Sequence, residues 1–484
     1  MPLSSGGPYE RRRNPFKEEN LINTKIVCTL GPSTEEVSMI KKLISAGMSV
    51  ARLNFSHGTH QYHQALVERV RRWPSVAVLQ DLQGIKIRIT DVQEEVVLKQ
   101  KQEVRIKQGH SFTTRDTIFI DYPGLLRDLK PGHRVFIDDG NIKLKVQKKT
   151  RDHIIAVVLE GGPLKSHKGV NLPDTKISIS PFTDKDREDL DFGLSIGVDY
   201  VALSFVTSER EVKNLKDYMV SKGFYVPVIA KIERPEALSR IDRIIMEADG
   251  IMVARGDLGV EVPLEEIPII QKDLIRRASE AGKVVITATQ MLESMIYHSS
   301  PTRAETTDVA NAVIDGSDAL MLSGETSVGR YPVQAVRTMA KIIRYTERHI
   351  REVLHPAHRP LKLLEEDPVS FSVAEGAVKT AENLNASSIV ALTRSGFTAR
   401  IISKLRPSVP VIALTPDEKT LRKLALYWAV VPMMMDEVED TKRALERATE
   451  IVRSSGVVPK SRPLVIVAGD PPGQGRTNLI KVIK

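Results

Sequence analysis

The sequence predicts an α/β protein built on a (β/α)8 TIM barrel, with an inserted β-barrel lid domain and a C-terminal open α/β sheet domain. Three observations predict this architecture. Apolar runs of strand length occur eight times in alternation with amphipathic segments of helix length, and nearly all of these runs end in polar or charged residues. Short β-like runs separate the third unit from the fourth. A second αβ series follows after residue 351.

The eight apolar runs are the candidate barrel strands. A doubly wound open sheet would show a similar alternation and is the alternative. The polar strand ends favour the barrel, because the chemistry of a closed parallel barrel is carried by the C-terminal ends of its strands. The candidate strands are KIVCTLGPS (25–33), VARLNFSHG (50–58), VAVLQDLQG (76–84), YVALSFV (200–206), PVIAKIE (227–233), GIMVARGD (250–257), VVITATQM (284–291) and ALMLSGET (319–326).

The rest of the sequence divides the chain into further regions. Residues 1–20 mix arginines with glutamates and contain no apolar run, which predicts a disordered arm rather than a secretory signal. Between the third and fourth strands, short runs separated by Gly, Pro and Asp turns predict an inserted β domain over residues 87–180. The barrel then comprises residues 21–86 and 181–350, and residues 351–484 form the C-terminal α/β domain.

Composition limits the classes of function. A chain of 484 residues with 41% hydrophobic residues is expected to form two or three globular domains. The single cysteine, Cys28, excludes an intramolecular disulfide and fits a cytoplasmic location. No apolar run reaches the ~18 residues of a membrane helix. The net charge of +9 favours small anionic partners, whereas 5% aromatic residues and dispersed positive charge argue against nucleic acid.

Three residues at neighbouring strand ends indicate a cation site. Lys231 and Glu233 are two positions apart in AKIE, so on a strand they project to the same side. A structural ion pair is the alternative for such a pair. Asp257 ends the next strand, which brings a second carboxylate close. Two carboxylates with room for water and substrate oxygens suit Mg²⁺ or Mn²⁺.

Another strand offers groups that bind anions. Arg52, Asn54 and Ser56 alternate along ARLNFS and therefore face one way. Together they present a guanidinium, an amide and a hydroxyl, which suit a phosphate or a carboxylate.

Three further strand ends complete the predicted ring of polar groups. Gly256 lies beside Asp257, where the backbone can approach a ligand closely. Thr289 in TATQ and Ser323 in SGET add hydroxyls, although each of them alone would also fit an ordinary solvated loop residue.

These residues lie in motifs that resemble the pyruvate kinase family. The resemblance runs in order from about Thr24 to Thr326, and the C-terminal region resembles the third domain of the family more loosely. It implies glycolytic transfer of a phosphoryl group from phosphoenolpyruvate to ADP, giving pyruvate and ATP. The motifs are KIVCTLGPS, ARLNFSHG, DLQGIKIR, KGVNLP, AKIE, DGIMVARGDLGVE, TATQMLESM, PTRAETTDVANAV and SGET.

The resemblance also implies roles for individual residues. Glu233 and Asp257 would hold the divalent metal, and Lys231 would neutralise charge on the transferred phosphoryl group and on the enolate. A water relay that includes Thr289, Ser323 or Glu325 would deliver the proton. The implied catalytic residues are Lys231, Arg52, Thr289 and Ser323. The implied substrate contacts are Arg52, Lys231, Gly256, Asp257 and Thr289. The implied nucleotide contacts are Asn54, Phe55, Ser56, His57, Arg88 and Lys168.

Lys168 gives the insertion an expected function. It lies in KGVNLP near the end of the inserted domain, so this domain is expected to act as a lid that brings a cation to the nucleotide phosphates and excludes water.

One segment departs from the common family pattern. Most members resemble DTKGPEIR where this chain has DLQGIKIR, so Lys86 replaces a glutamate. In the common form a potassium ion helps to balance the nearby negative charge, and a lysine ammonium carries the same charge on a fixed tether. We therefore expect that K⁺ is not required; a solvent-facing lysine is the alternative. Asn54, Ser56 and Asp81 match the potassium ligands of the family, whereas Leu82 lacks the usual hydroxyl.

The C-terminal domain predicts regulation. In ALTRSGFTARIIS a strand ends and a helix begins, and such a turn can hold a phosphate. An ordinary strand-to-helix turn is the alternative. Family resemblance marks this loop as the pocket for a phosphorylated sugar or nucleotide activator, and family members are typically homotetramers. The effector residues are Thr393, Arg394, Ser395, Gly396, Thr398 and Arg476.

Two other functions fit parts of the sequence. A magnesium-dependent barrel lyase that acts on keto acids would share the Arg, Glu and Asp strand ends, but it would not need the lid with Lys168. A catalytically silent metabolite-binding protein would be expected to have lost Lys231 or a metal ligand, and the chain retains all of them.

Overall fold

The computed structural model describes residues 21–92, 95–349, 360–470 and 477–484. The disordered arm predicted for residues 1–20 lies outside the described residues, and so does Arg476. Within the described part of the chain, none of the helices combines the length and the apolar character that crossing a membrane requires.

The chain begins with three βα units of a barrel. Their strands are almost fully buried, because they pack against the barrel interior on one face and against helices on the other. The elements are β1 (Lys25–Thr29), α1 (Val37–Ala46), β2 (Met48–Asn54), α2 (His60–Val70) and β3 (Ala77–Asp81).

The inserted domain is a seven-stranded, barrel-like sheet, called the lid below. Its strand order is β12-β8-β9-β10-β6-β7-β4, and β11 and β5 form a separate ribbon. Side chains alternate between buried and exposed along these strands, as expected for a sheet with one solvent-exposed face. The elements are β4 (Arg88–Ile89), β5 (Val96–Leu98), β6 (Glu103–Gln108), β7 (Thr117–Asp121), α3 (Leu125–Asp128), β8 (Arg134–Ile137), β9 (Ile142–Lys149), β10 (Ile154–Glu160), β11 (Gly162–Leu164) and β12 (Val170–Asn171).

The barrel resumes after the lid. Capping boxes begin three of its helices, with Thr183 and Asp186 as one example, so local sequence fixes where these helices start. The elements are α4 (Asp184–Ser195), β13 (Tyr200–Leu203), α5 (Glu209–Ser221), β14 (Val228–Ile232), α6 (Pro235–Leu238), α7 (Ile241–Glu247), β15 (Gly250–Ala254), α8 (Arg255–Glu261), α9 (Ile267–Glu280), β16 (Val284–Ala288), α10 (Arg303–Ile314), β17 (Ala319–Leu322), α11 (Gly324–Ser327) and α12 (Pro332–His349).

The eight predicted strands close into one parallel barrel. The order around the barrel is β1-β2-β3-β13-β14-β15-β16-β17, and β17 pairs with β1 to complete the ring. The predicted (β/α)8 fold is therefore confirmed, and the doubly wound alternative is excluded. All eight C-terminal strand ends lie on one face, which brings the predicted polar groups together.

The C-terminal domain is an open five-stranded sheet, in the order β20-β19-β18-β21-β22. Four of its strands were predicted, because the αβ series after residue 351 contains the strand-like runs SSIVALT, VPVIALT, AVVPMMM and LVIVAGD. The fifth, β22, runs antiparallel along one edge and was not predicted. The elements are α13 (Leu361–Glu366), α14 (Pro368–Asn383), β18 (Ser388–Leu392), α15 (Phe397–Lys404), β19 (Val411–Thr415), α16 (Glu418–Leu424), β20 (Val430–Met434), α17 (Thr441–Ser455), β21 (Leu464–Ala468) and β22 (Leu479–Ile483).

The C-terminal domain covers the barrel end opposite the polar strand ends. Leu426 is fully buried in the same apolar cluster as the barrel interior residues. Tyr200, the first residue of β13, donates its hydroxyl to the Lys423 carbonyl at 2.5 Å. Lys25, the first residue of β1, donates to the Val430 carbonyl at 2.7 Å. This packing leaves the other end of the barrel open to ligands.

Candidate active site

Lys231 lies at the centre of the polar strand ends, near the end of β14. Its Nζ lies 2.9 Å from Oε1 of Glu233 and 3.2 Å from Oδ1 of Asp81, and it donates to Ser204 Oγ at 2.7 Å. Burial alone would lower the pKa of Lys231, but the carboxylates of Asp81 and Glu233 raise it above its ordinary value. A permanent positive charge therefore stands at the mouth of the barrel.

Arg52 approaches the same carboxylate from the other side. Its Nε lies 2.7 Å from Oδ2 of Asp81, and its Nη1 donates to Thr29 Oγ1 at 2.8 Å. Both oxygens of Asp81 are thus occupied by cations of the protein. Despite its burial, the pKa of Asp81 is lowered by Lys231 and Arg52. The pair of cations forms a rigid surface suited to an anionic substrate.

Glu233 and Asp257 form a neighbouring pair of carboxylates. Burial raises the pKa of Glu233 to about 7, with Lys231 opposing and Asp257 adding to the rise. Burial also raises the pKa of Asp257, with Lys231 again opposing. The described residues contain no group of three or more His, Cys, Asp or Glu side chains arranged as metal ligands. Glu233 and Asp257 nevertheless offer two oxygen donors of the kind that Mg²⁺ and Mn²⁺ prefer. Substrate and water would complete the coordination shell of such an ion, and its charge would offset the cost of ionising the two carboxylates.

The loop that carries Thr289 is held by a buried arginine. Arg255 Nη2 donates to the Thr289 carbonyl at 2.7 Å, and Nη1 lies 2.7 Å from Oδ1 of Asp308. Thr289 and Gln290 adopt positive φ values of 65° and 54°, a strained conformation for residues other than glycine. Gly256 N donates to Thr289 Oγ1 at 2.7 Å, which joins the start of α8 to this loop.

The candidate proton-relay residues line a cavity, called the second cavity below to distinguish it from the larger cleft between lid and barrel. This cavity, of about 610 Å³, is bordered by Gly256, Asp257, Thr289, Ser323 and Glu325 among others. Glu325 accepts from the Ser323 backbone N–H at 2.8 Å and is itself buried. Burial raises its pKa. Thr289 and Ser323 therefore flank one space next to the carboxylate pair.

The predicted nucleotide residues divide into two sets. His57, Arg88 and Lys168 line a large cleft of about 1420 Å³ between lid and barrel, which also reaches Asp257. Lys168 Nζ lies 2.7 Å from Oδ1 of Asp138 on the lid.

The second set lies in the loop after β2. Asn54 Oδ1 accepts from the Ser56 backbone N–H at 3.1 Å and so shapes this loop. The Phe55 side chain is buried and stacks on His63 at 4.1 Å between ring centroids. These side chains therefore support the loop. Because the Phe55 side chain is buried, only the backbone of Phe55 could contact a nucleotide.

Lys86 lines the same cleft and is half-buried. Burial lowers its pKa to about 8, with Arg88 and Lys185 adding to the decrease and Asp257 opposing it. Leu82 is buried in the barrel core, so its side chain brings no oxygen to the site. Its carbonyl accepts from Ser204 Oγ at 2.8 Å.

The predicted effector loop has the expected strand-to-helix shape. Gly396 has a φ of +88° and donates its N–H to Thr393 Oγ1 at 2.9 Å, and α15 begins at the next residue. Ser395 is exposed, with its Oγ 3.4 Å from the backbone N of Phe397, and Arg394 pairs with Glu437 at 3.1 Å.

Another hydroxyl of this loop faces the C-terminal edge. Thr398 Oγ1 lies 2.7 Å from Thr477 Oγ1, next to the undescribed residues 471–476 that include Arg476. The structure therefore brings the described effector residues together in one turn.

Sequence reasoning missed three residues of the site. Ser204 directly follows strand β13, and the rule that polar groups at strand ends converge would have selected it. Arg255 was not predicted, because its role lies in a hydrogen bond to the Thr289 carbonyl 34 residues away, for which the sequence carries no local signal. Asp138 lies in a lid turn that carried no recognised motif.

The comparisons with known proteins agree with this geometry. A family model described as pyruvate kinase, barrel domain, matches residues 21–336, and one described as pyruvate kinase, alpha/beta domain, matches residues 372–483. A pyruvate kinase of Corynebacterium efficiens is 44% identical over 466 residues, covering 95% of this chain and 97% of the relative. One from Mycobacterium tuberculosis is 42% identical over 465 residues with the same shares. One from Geobacillus stearothermophilus is 42% identical over 471 residues, covering 95% of this chain and 80% of the relative. With its barrel, lid and C-terminal domain, the chain belongs to the pyruvate kinase family of phosphotransferases.

Proposed function

We propose that the chain transfers the phosphoryl group of phosphoenolpyruvate to ADP in glycolysis, with Lys231 as the central catalytic residue. The observation that carries the proposal is the position of the Lys231 ammonium, held by Asp81, Glu233 and Ser204 at the mouth of the barrel. Phosphoryl transfer depends on positioning and charge stabilisation. A fixed cation at this point stabilises negative charge on the phosphoryl oxygens and on the enolate.

The remaining strand ends orient the substrate and move the proton. Arg52, fixed by Asp81, binds an anionic group of phosphoenolpyruvate, and the Gly256 backbone and Thr289 border the same site. Thr289 or Ser323 then relays a proton from water to the enolate carbon. The support for this assignment is that both hydroxyls border the second cavity beside Asp257.

The nucleotide lies between lid and barrel in this proposal. Arg88 and Lys168 stand on the cleft between the two domains, and closure brings them to the phosphates and excludes water. Exclusion of water prevents hydrolysis of the phosphoryl group in place of its transfer to ADP.

We further propose that Glu233 and Asp257 hold a Mg²⁺ or Mn²⁺ ion. The bound ion would neutralise charge on the phosphoryl oxygens. Support comes from the chemistry of the donors, because the buried Glu233 and the half-buried Asp257 lie beside each other, and Lys231 is the protein cation between Glu233 and Asp81.

A coupled assay tests this function directly. Purified protein should form pyruvate from phosphoenolpyruvate only when ADP and a divalent cation are both present, and excess EDTA should abolish the signal. A barrel lyase would release its product without ADP, and a silent binding protein would give no signal above background. Either result would contradict the proposal.

We propose that Lys86 replaces the monovalent cation, so that the enzyme does not require K⁺. The observations in support are that Lys86 lines the cleft near Asp257 and that Leu82 supplies no side-chain oxygen. Activity should therefore be the same in tetramethylammonium buffer with and without KCl. Lys86→Glu should lose most activity without K⁺ and regain it when KCl is added, especially when combined with Leu82→Thr.

A matched variant controls for simple charge reversal in the cleft. Lys176 is exposed on the lid side of the same cleft. Lys176→Glu should remain independent of K⁺. Strong activation of the unmodified enzyme by KCl would refute the role of Lys86.

The C-terminal loop and the surface suggest regulation and assembly. We propose that a phosphorylated sugar or nucleotide binds at residues 393–398. Titration of such compounds into the enzyme at half-saturating phosphoenolpyruvate, with activity as the readout, tests this proposal.

A homotetramer is proposed as in the family. It is supported by three large apolar side chains, Leu264, Ile269 and Tyr297, which are 75%, 68% and 64% exposed. Light scattering of the purified protein decides its assembly, and cell fractionation tests a cytoplasmic location.

A further inference from the structure

Two side chains of the barrel hold the returning strand of the lid. Glu261 Oε1 accepts a hydrogen bond from Asn171 Nδ2 at 3.0 Å. Arg234 Nη2 donates to the Thr175 carbonyl at 2.9 Å. The lid segment that leads back into the barrel is therefore anchored at two points, four residues apart.

The anchors adjoin the candidate catalytic groups on both sides. On the barrel, Arg234 directly follows Glu233, and Glu261 lies one helical turn after Asp257 on α8. On the lid, Asn171 lies three residues after Lys168. The contact thus joins the elements that carry the two carboxylates to the lid segment that carries Lys168.

Glu261 is incompletely paired for a buried carboxylate. Its exposed fraction is 7%, yet its Oε2 has no hydrogen-bond partner among the residues that the structure describes. Arg234 Nη1 is 3.8 Å from Oε1. Burial raises the pKa of Glu261, with Arg234 opposing the rise. A buried carboxylate oxygen without a hydrogen-bond partner costs free energy, so Glu261 is held by fewer contacts than its burial calls for and its hydrogen bond to Asn171 carries much of the contact with the lid.

Arg234 is better satisfied than its partner. It donates to Glu236 Oε1 at 2.7 Å as well as to Thr175, and its guanidinium is buried. Arg234 therefore has a barrel partner, Glu236, in addition to its contact with the lid. The Asn171–Glu261 and Arg234–Thr175 hydrogen bonds both join lid to barrel, and the first of them is made by two side chains whose groups can be exchanged.

We propose that the Asn171–Glu261 hydrogen bond, supported by Arg234, positions the lid over the cleft so that Lys168 reaches the nucleotide phosphates. The inference rests on the proposed function, because it assumes that ADP binds between lid and barrel. Asn171 and Glu261 act through Lys168, and they are positioning residues.

An exchange of the two functional groups tests this role. Asn171→Asp keeps the size of the side chain and places a carboxylate against Glu261, which opens the contact by like-charge repulsion. Adding Glu261→Gln restores an amide opposite a carboxylate with the donor and acceptor reversed. The KM for ADP should rise by about tenfold in N171D, which corresponds to about 1.4 kcal/mol. It should return close to the unmodified value in N171D/E261Q, while the KM for phosphoenolpyruvate changes little throughout.

Hydrogen exchange reports lid position without activity. Amides of β8 and β12 and of the segment up to Thr175 should exchange faster in N171D than in the unmodified protein, and the double variant should restore their protection. If the protein proves inactive with phosphoenolpyruvate and ADP, the proposed function fails, and the exchange data still decide whether the contact holds the lid.

A matched charge change separates lid position from cleft electrostatics. Asn214 is exposed on the barrel side of the same cleft, and among the described residues its side chain makes no hydrogen bond or ion pair with the lid. Asn214→Asp should leave the KM for ADP and lid exchange unchanged. The proposal is overturned if the double variant is as impaired as N171D, or if N171D raises the KM values of both substrates equally.

Discussion

Lys231→Met is expected to lower kcat by about 10³-fold, the upper range for loss of one preorganised charge-stabilising group. The ammonium contacts Asp81, Glu233 and Ser204, and a methionine of similar length leaves these groups without a cation between them. The KM for ADP should change much less, because the lid side of the cleft is untouched. The coupled pyruvate assay measures kcat, and circular dichroism with thermal unfolding verifies the fold.

The fold should survive this substitution at a measurable cost. Removing one partner of a buried ion pair destabilises by about 3–5 kcal/mol, but Asp81 keeps its bond to Arg52 and Glu233 keeps the Phe205 backbone N–H at 2.8 Å. The matched control is Lys213→Met, which removes an exposed lysine paired with Asp217. It should change neither kcat nor stability appreciably. A Lys231→Met enzyme with unmodified turnover would exclude the assigned role.

Sequence patterns were sufficient for the barrel because its strands follow a simple physical rule. A strand buried on both faces reads as a continuous apolar run, and a strand that ends at an active site ends polar. Both features occur in AKIE and in GIMVARGD, so the sequence alone is sufficient to select Lys231, Glu233 and Asp257. The same rule applied to YVALSFV would also have given Ser204.

Other parts of the site depend on contacts between residues far apart in sequence. Arg255 holds the Thr289 loop through a carbonyl 34 residues away, and Asn171 meets Glu261 across 90 residues. The pattern of apolar and polar residues within one segment does not indicate which distant residues will form such pairs. The edge strand β22 was missed for a related reason, because pairing along one edge with β21 decides its conformation.

A second large effect is expected where the C-terminal domain meets the barrel. Asp318 is fully buried just before β17. Its Oδ2 lies 2.6 Å from Lys404 Nζ and accepts from the Val285 N–H at 2.8 Å, and its Oδ1 lies 3.0 Å from Arg406 Nη2. One carboxylate therefore pairs with two cations of the other domain, the buried Lys404 and the largely buried Arg406.

Charge on Lys404 gives this interface a pH dependence. Burial lowers the pKa of Lys404 from 10.5 to about 8, with Asp318 opposing the decrease. A base whose pKa is lower in the folded state binds fewer protons there, so its contribution to stability increases as pH rises from about 8 to 10.5. Loss of Asp318 would lower the folded pKa further. Removal of Asp318 should therefore decrease the free energy of unfolding more at mildly acidic pH, where Lys404 is charged, than above pH 8.

Asp318→Ala should lower the free energy of unfolding by about 3–5 kcal/mol, because it leaves Lys404 and Arg406 buried without their carboxylate. Trp428 lies under the Arg406 guanidinium at 4.8 Å, so its fluorescence in a Trp73→Phe background reports urea unfolding at this interface. Asp242→Ala, at an exposed pair with Arg277, should cost less than about 1 kcal/mol.

Adding Lys404→Met to Asp318→Ala tests the cause of this loss. The second substitution removes the cation that is left unpaired and fills its space with an apolar side chain, so most of the lost stability should return. Arg406 keeps its hydrogen bond to the Gly316 carbonyl at 2.5 Å and its contact with Trp428, so the absence of Asp318 should destabilise Arg406 less than Lys404. If the double variant unfolds at the same urea concentration as Asp318→Ala alone, then the cost arises from the lost Val285 hydrogen bond and the cavity, and the buried charge of Lys404 is not its source.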